Sequence, residues 1–321
     1  MPQPTFRSFF GLAKEATFGT AVAATNFIPI KSMKPKDKLE LLDDAGMRGS
    51  MVDSYGKIAG PMTSEFDFDG DVYPDTVGFP MTGVLGDITT TGASAPYSHA
   101  MAVLNTGTGQ PPSYTLSDYY TISTRQYAGA KFSEFSMKFS GDGLLTYSAK
   151  ATALGSVTAS TPTPSYTAVA PIAGWIGAVT IGGSANLTLI DGECTMKRPV
   201  DIIHTVDGTS APYALWSGPL TVSGKLTMVM EDDTQLLNYL NNSQPSLDIN
   251  YSQGAGASAV QVKLHMTKAA FTTADIERGK TYISLSVDYE AVANTTDVGG
   301  SGGYSPIKVT LQNALASGTY K

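Results

Sequence analysis

The chain has 321 residues, 42% hydrophobic and only 15% charged, with 33 Gly and 18 Pro. Its formal net charge is −7 and its pI about 4.9. So many breakers exclude a fold built on long helices, and the negative balance excludes a basic nucleic-acid-binding surface as the default reading. The single cysteine, Cys194, excludes an internal disulfide and reads as a small buried residue. The N-terminus has no apolar core of signal-peptide length and no run of about 18 apolar residues occurs, so the chain is expected to be made in the cytoplasm and to span no membrane.

Residues 1–29 read as an extended arm. The stretch 11–25 is rich in small residues, yet Phe9, Phe10 and Phe18 are spaced along the arm and Phe27 closes it. A solvated tail carries few phenylalanines, so these four are candidates for contact with a neighbouring subunit or ring. A first β unit is expected over 30–155. In it, Lys34-Pro35-Lys36-Asp37-Lys38 reads as a positive turn, Leu39-Glu40-Leu41 as strand and 43–50 as loop. In the strand 58–68, Glu65, Asp67 and Asp69 alternate with Phe66 and Phe68. Period two puts the rings on one face and the carboxylates on the other, where three like charges repel each other. A short helix follows over 77–85, limited by Pro80 and Gly83. Residues 87–98 read as a long loop, and 100–104 and 113–122 as strands. Phe132, Phe135, Met137 and Phe139 mark a strand that turns at Gly141-Asp142-Gly143 and returns over 144–153.

A Ser/Thr/Pro-rich linker is expected over 156–173, and a second β unit over 174–321. There the pattern restarts. Gly60-Pro61-Met62-Thr63 reappears as Gly218-Pro219-Leu220-Thr221, an offset of 158 (61 to 219), and each copy leads through a strand and acidic residues into a short helix. Leu187-Thr188-Leu189-Ile190-Asp191 reads as the counterpart of Leu39-Glu40-Leu41-Leu42-Asp43. Strands are expected over 175–181, 220–230, 246–251, 259–266, 281–293 and 307–311, and a helix over 234–241.

The order and spacing of several pieces then become specific: Lys14-Glu15-Ala16-Thr17-Phe18-Gly19-Thr20-Ala21-Val22, Phe27-Ile28-Pro29, Arg48-Gly49, Tyr97-Ser98-His99, Pro112-Ser113-Tyr114-Thr115-Leu116, Tyr127-Ala128-Gly129, Ser217-Gly218-Pro219-Leu220-Thr221-Val222-Ser223-Gly224 and Val309-Thr310-Leu311-Gln312-Asn313. Together they resemble the major tail tube proteins of long-tailed bacteriophages with non-contractile tails. The resemblance implies a mainly β chain of two tandem β-sandwich or partial-barrel units, each with a short flanking helix. It implies self-assembly, through strands shared between neighbours, into stacked rings around a bore that passes DNA. Three two-unit chains would make a pseudo-hexamer; six chains, each with one tube unit and one decorating unit, is the alternative. Implied partners are further copies, the tape measure, the tail terminator and the distal tail protein; no cofactor is implied. An acidic bore would repel phosphates. The lumen-facing candidates are Glu65, Asp67 and Asp69 in the first copy and Lys225 and Thr227 in the second, a solvated outer face being the other reading.

The rival reading is an Ig-like or carbohydrate-binding surface module using Trp175, Tyr213 and Trp216. Enzymatic chemistry finds no support. His99, His204 and His265 lack metal-ligand spacing, and the calcium-loop-like Asp67-Phe68-Asp69-Gly70-Asp71 has Val72 and Gly78 where Gly and Glu are required.

Overall fold

Period-two alternation carries most of the chain into antiparallel strands. The computed structural model describes residues 4–279 and 281–320. In the first half lie β1 (Phe9–Lys14), β2 (Asn26–Ile28), β3 (Ser32–Asp44), β4 (Gly56–Asp71), α1 (Gly78–Leu85), β5 (Gly86–Thr91), β6 (Tyr97–Val103), β7 (Tyr114–Tyr119), β8 (Thr124–Ser140), β9 (Thr146–Leu154) and β10 (Val157–Ala159). In the second lie β11 (Gly177–Ile181), β12 (Ser184–Asn186), β13 (Leu189–Lys197), β14 (Val200–Ile203), β15 (Ala214–Ser217), β16 (Thr221–Val229), α2 (Thr234–Leu240), β17 (Leu247–Gln253), β18 (Val260–Met266), β19 (Ala269–Glu277), β20 (Ser284–Ala291) and β21 (Lys308–Asn313). The chain is mainly β, a sandwich whose antiparallel sheets do not close into a barrel, in line with the fold class expected from sequence.

One broad sheet runs β3-β4-β9-β8-β13-β16-β20-β19, four strands from each half. Behind it stand two others. The first is β2-β1-β7-β8-β10, which uses the opening residues of β8. The second is β12-β11-β17-β18-β21-β6-β5. The two halves follow one plan: β1 and β2 answer β11 and β12, β7 answers β17, β9 answers β20, and β10 answers β21. The seventeen-residue β8 answers β18 and β19 together. It turns the corner between sheets without a break, helped by Gly129 at φ 69°. A bulge confirms the correspondence. It falls between Phe132 and Glu134 against β9, and between Phe271 and Thr273 against β20.

Two joints bind the halves. Strand β13 pairs with the end of β8, and β6 pairs with β21. The second joint depends on an insertion. Residues 86–113 separate α1 from β7, whereas only 241–246 separate α2 from β17. One apolar core runs from Phe10 to Tyr320 through both halves. Helix α1 is wholly buried in it, and Gly83 lets the helix lie against Phe132, whose ring a Cβ would meet at 2.2 Å.

Several local expectations are corrected. Residues 87–98, read as loop, hold β5 and the start of β6. The two pair with each other, and the strand that carries them into a larger sheet, β21, reaches β6 from more than two hundred residues on. Lys34–Lys38 is the middle of β3 and not a turn; Pro35 is tolerated because β3 is an edge strand. The pairing of Leu187–Asp191 with Leu39–Asp43 is out of register: Glu193 sits opposite Lys225 as Lys34 sits opposite Asp67, so β13 answers residues 30–38. Residues 199–211, which read as loop, hold β14, paired with β15; strands β15 and β19 carry no expectation from sequence.

Residues 5–28 lie on the first half's own sheet, where β1 pairs with β7. Glu15, 4% exposed, pins this segment: its carboxylate accepts from the backbone N–H of Gly19 and Gly129 and from the Ser113 and Thr115 hydroxyls at 2.7–3.0 Å. Phe10 and Phe27 are buried in the same chain. Phe9 stacks on Tyr119 with centroids 4.6 Å apart, and Phe18 is half-buried against Gly129.

Candidate assembly surface

Each strand of the broad sheet presents apolar residues to the core and polar ones to the outside. On β4, Phe66 and Phe68 are each 2% exposed while Glu65 and Asp67, alternating with them, are open. Burying each ring contributes about 2–3 kcal/mol, which fixes the face of the whole strand. The same alternation places Glu65, Asp67, Asp69, Lys225 and Thr227 on one outward face, Asp69 and Thr227 half-buried.

The carboxylate row that would repel itself in isolation is neutralised across strands. Lys38 pairs with Glu65, Lys31 with Asp71 at 2.6 Å, and the Ser32 hydroxyl donates to Asp69. Asp67 lies between Lys34 and Lys150 in register. Lys150 bridges to Glu134 at 2.7 Å and Lys138 to Glu193 at 3.4 Å, and Lys225 stands between Glu193 and Asp288. Charges therefore alternate in sign from strand to strand, the favourable cross-strand arrangement. The balance stays acidic. Glu65, Asp67, Asp69, Asp71, Glu134, Asp191, Glu193, Asp275, Glu277, Asp288 and Glu290 outnumber Lys34, Lys36, Lys38, Lys138, Lys150, Lys197 and Lys225.

The sheet ends in two open edges, β3 and β19. The outward row of β3 is Lys34, Lys36 and Lys38; that of β19 is Thr273, Asp275 and Glu277. The edges are thus opposite in charge. They also correspond to strands already joined within the chain. By the shared bulge, Thr273, Asp275 and Glu277 occupy the places of Glu134, Ser136 and Lys138 on β8. Lys34, Lys36 and Lys38 occupy those of Glu193, Thr195 and Lys197 on β13. The joint pairs Lys138 with Glu193, Ser136 with Thr195 and Glu134 with Lys197. The sequence shows the lysines only as a positive turn and gives no strand over 269–277, so neither edge row is legible there: pairing with β4 makes the first a strand row and pairing with β20 the second.

Above this joint, Arg198 crosses between halves. Its guanidinium donates to the carbonyls of Gly218 (2.8 Å), Val84 (3.2 Å) and Gly109 (2.6 Å), while Lys131 donates to that of Pro111. Burial pushes Lys131 down to about 8. Cys194, fully buried beneath the sheet, has its thiol pushed up to about 12 by burial, and so is no nucleophile. Asp118 on β7 is 6% exposed, and burial pushes its carboxyl up to about 6. Its cross-strand partner Arg125 turns instead to Ser156 and Asp37. Between about pH 4 and 6 the folded chain holds a proton that the unfolded chain releases, so stability falls as pH rises through that window. Asp118→Asn is expected to raise stability by on the order of 2 kcal/mol at neutral pH and leave it unchanged near pH 3.5, read by thermal unfolding at both.

A family model described as phage tail tube protein matches residues 5–291. The chain belongs to that family. A search of curated proteins returns no match. As a phage tail tube protein it is a structural component of the virion tail, and the open-edged β-sandwich with its charged outward face is this member's form of the fold. No helix among the described residues is long and apolar enough to cross a membrane. The three exposed aromatics of the rival reading do not form one platform. Trp175 lies at the end of the molecule near Ser140, whereas Trp216 on β15 and Tyr213 just before it lie at the opposite end, beyond Thr221.

Proposed function

We propose that three copies of this tail tube protein close into a pseudo-hexameric ring, β19 of each pairing with β3 of the next, and that stacked rings conduct the phage genome through the bore. One observation carries this: the chain already contains the joint. Its β8–β13 pairing is the template, and the two free edges are the same two strands of the repeated plan. The register it dictates sets Glu277 opposite Lys34, Asp275 opposite Lys36 and Thr273 opposite Lys38, so each lysine of the first two pairs meets a carboxylate. Open edges of this length are otherwise a liability, and ring closure removes them. In this ring the alternating, net acidic face lines the bore. Glu65, Asp67, Asp69, Lys225 and Thr227 all stand on it, and the alternation of lysines with a larger number of carboxylates gives phosphates no cationic patch to hold.

Stacking then uses the two ends of the sandwich. The β3–β4 tip exposes Met47, Met51 and Val52, and the opposite end exposes Trp175 (75%) and Leu187 (93%). Opposite apolar ends favour head-to-tail rings. At the tube's ends these surfaces would meet the tail terminator and the distal tail protein, and the bore would hold the tape measure before DNA. Electron cryomicroscopy of assembled tubes is the test. Three chains per ring, with Asp67 and Lys225 on the bore, are expected; six chains, or those residues on the outer wall, would overturn the proposal.

A further inference from the structure

The two helices occupy the same place in the repeated plan, yet their surroundings differ. All eight residues of α1 are buried, whereas none of α2 is, with Leu237 at 43% and Leu240 at 64% exposed. Three things cover α1: the β5–β6 insertion, Tyr320 packed on Phe79 with centroids 4.9 Å apart, and the end of the β13–β16 hairpin. The last cover comes from the neighbouring half. Just past β13, Arg198 reaches the carbonyl of Val84 at the end of α1. The hairpin then bends at Pro199 and Gly218-Pro219 and lays β14 and β15 across β8. There Ser217 and Gln110 exchange hydrogen bonds of 2.8 and 2.9 Å, and the carbonyl of Ser210 accepts from the N–H of Met62 at 3.1 Å.

The β3–β4 hairpin has the matching break, a bulge between Leu39 and Leu41 beside Gly60-Pro61. In the place of Arg198 stands Leu39. It is 49% exposed, and the cross-strand pair Leu42 and Ile58 beyond it are 48% and 63% exposed. An apolar patch thus sits on the edge that joins, and a second one, on α2, beside the edge it joins to. We propose that Leu39, Leu42 and Ile58 of one copy cover Leu237 and Leu240 of the next, an apolar counterpart of the Arg198 clasp. This rests on the ring reading and adds a lateral role for the base of a hairpin whose tip points along the tube.

The test is a disulfide. Tubes of Leu39→Cys/Leu240→Cys, oxidised and denatured without reductant, are expected to give covalent species that stop at three chains; the buried native Cys194 does not take part. A ladder running past three chains would place the hairpin on the next ring and overturn the clasp. Absence of cross-links while Lys34→Cys/Glu277→Cys tubes give covalent trimers would also overturn it, and would leave the ring reading standing. Intact tubes that cross-link at neither pair would sink the ring reading as well. Should the first variant not assemble, hydroxyl-radical labelling of wild-type tubes decides. Labelling of Leu240 and Ile58 is expected to fall about fivefold from monomer to tube, as for the dry centre of an interface, and unchanged labelling would reject the clasp.

Discussion

Lys34→Glu with Lys36→Glu is expected to abolish tube assembly while leaving the monomer folded. Both side chains are exposed, and setting carboxylates opposite Asp67 and Glu65 on β4 costs the monomer about 1 kcal/mol per solvent-screened pair, which a chain with one apolar core through both halves tolerates. In the ring, however, the reversal sets like charges directly opposite Asp275 and Glu277. At about 1 kcal/mol per opposed pair, two pairs per joint and three joints, a ring loses roughly 6 kcal/mol. The quadruple variant that also carries Asp275→Lys and Glu277→Lys restores opposite charges at every joint and is expected to assemble again. Mixing the two double variants adds a test of ring size. Their joints are complementary only when the two kinds alternate, which an odd ring cannot do. The mixture is therefore expected to fail to close rings, whereas a six-chain ring would form readily. Sedimentation and negative-stain microscopy read each outcome. A β3 double variant that forms normal tubes at low salt, where screening is weakest, would remove edge pairing from the account.

Arg198→Ala is expected to cost about 4 kcal/mol of stability in the unassembled chain, a loss visible as an earlier chemical-denaturation midpoint. The residue is 5% exposed, and burial holds its guanidinium below its usual range, yet three carbonyls from three separate segments accept from it. Truncation strips all three of their donor and leaves a cavity where two halves meet. Arg198→Lys should recover little, because one ammonium group cannot span acceptors that the planar fork reaches together. A loss below about 1 kcal/mol for the alanine variant would mean that water replaces the guanidinium at little cost.

The repeated plan was legible at the Gly60-Pro61 and Gly218-Pro219 pairs because both mark where a long hairpin bends or bulges, a local backbone requirement that leaves a local residue signature. The alternation of Phe66 and Phe68 with Glu65, Asp67 and Asp69 was legible for a similar reason, since the pleat alone decides which side a residue faces. The register of the repeat beyond those points was not. Leu39–Asp43 and Leu187–Asp191 look alike as strings, but hydrogen-bond partners on β4 and β16 decide that Lys34 answers Glu193. Likewise β5 had no sequence signal although β6 beside it did, because the sheet that holds both is completed by β21, which reaches β6 from the far end of the chain.

By itself the sequence determined that this chain is a doubled, breaker-rich β protein resembling a tail tube subunit, with a period-two row of carboxylates facing away from two buried rings; each of these is written within a few neighbouring residues. Only the tertiary structure decided that those carboxylates are met by lysines from other strands, that β3 and β19 are left open with opposite charge, and that α1 is sealed while α2 is not. All three are properties of what comes to lie beside a segment, and a segment's neighbours in a sheet are chosen by pairing partners distant in the chain.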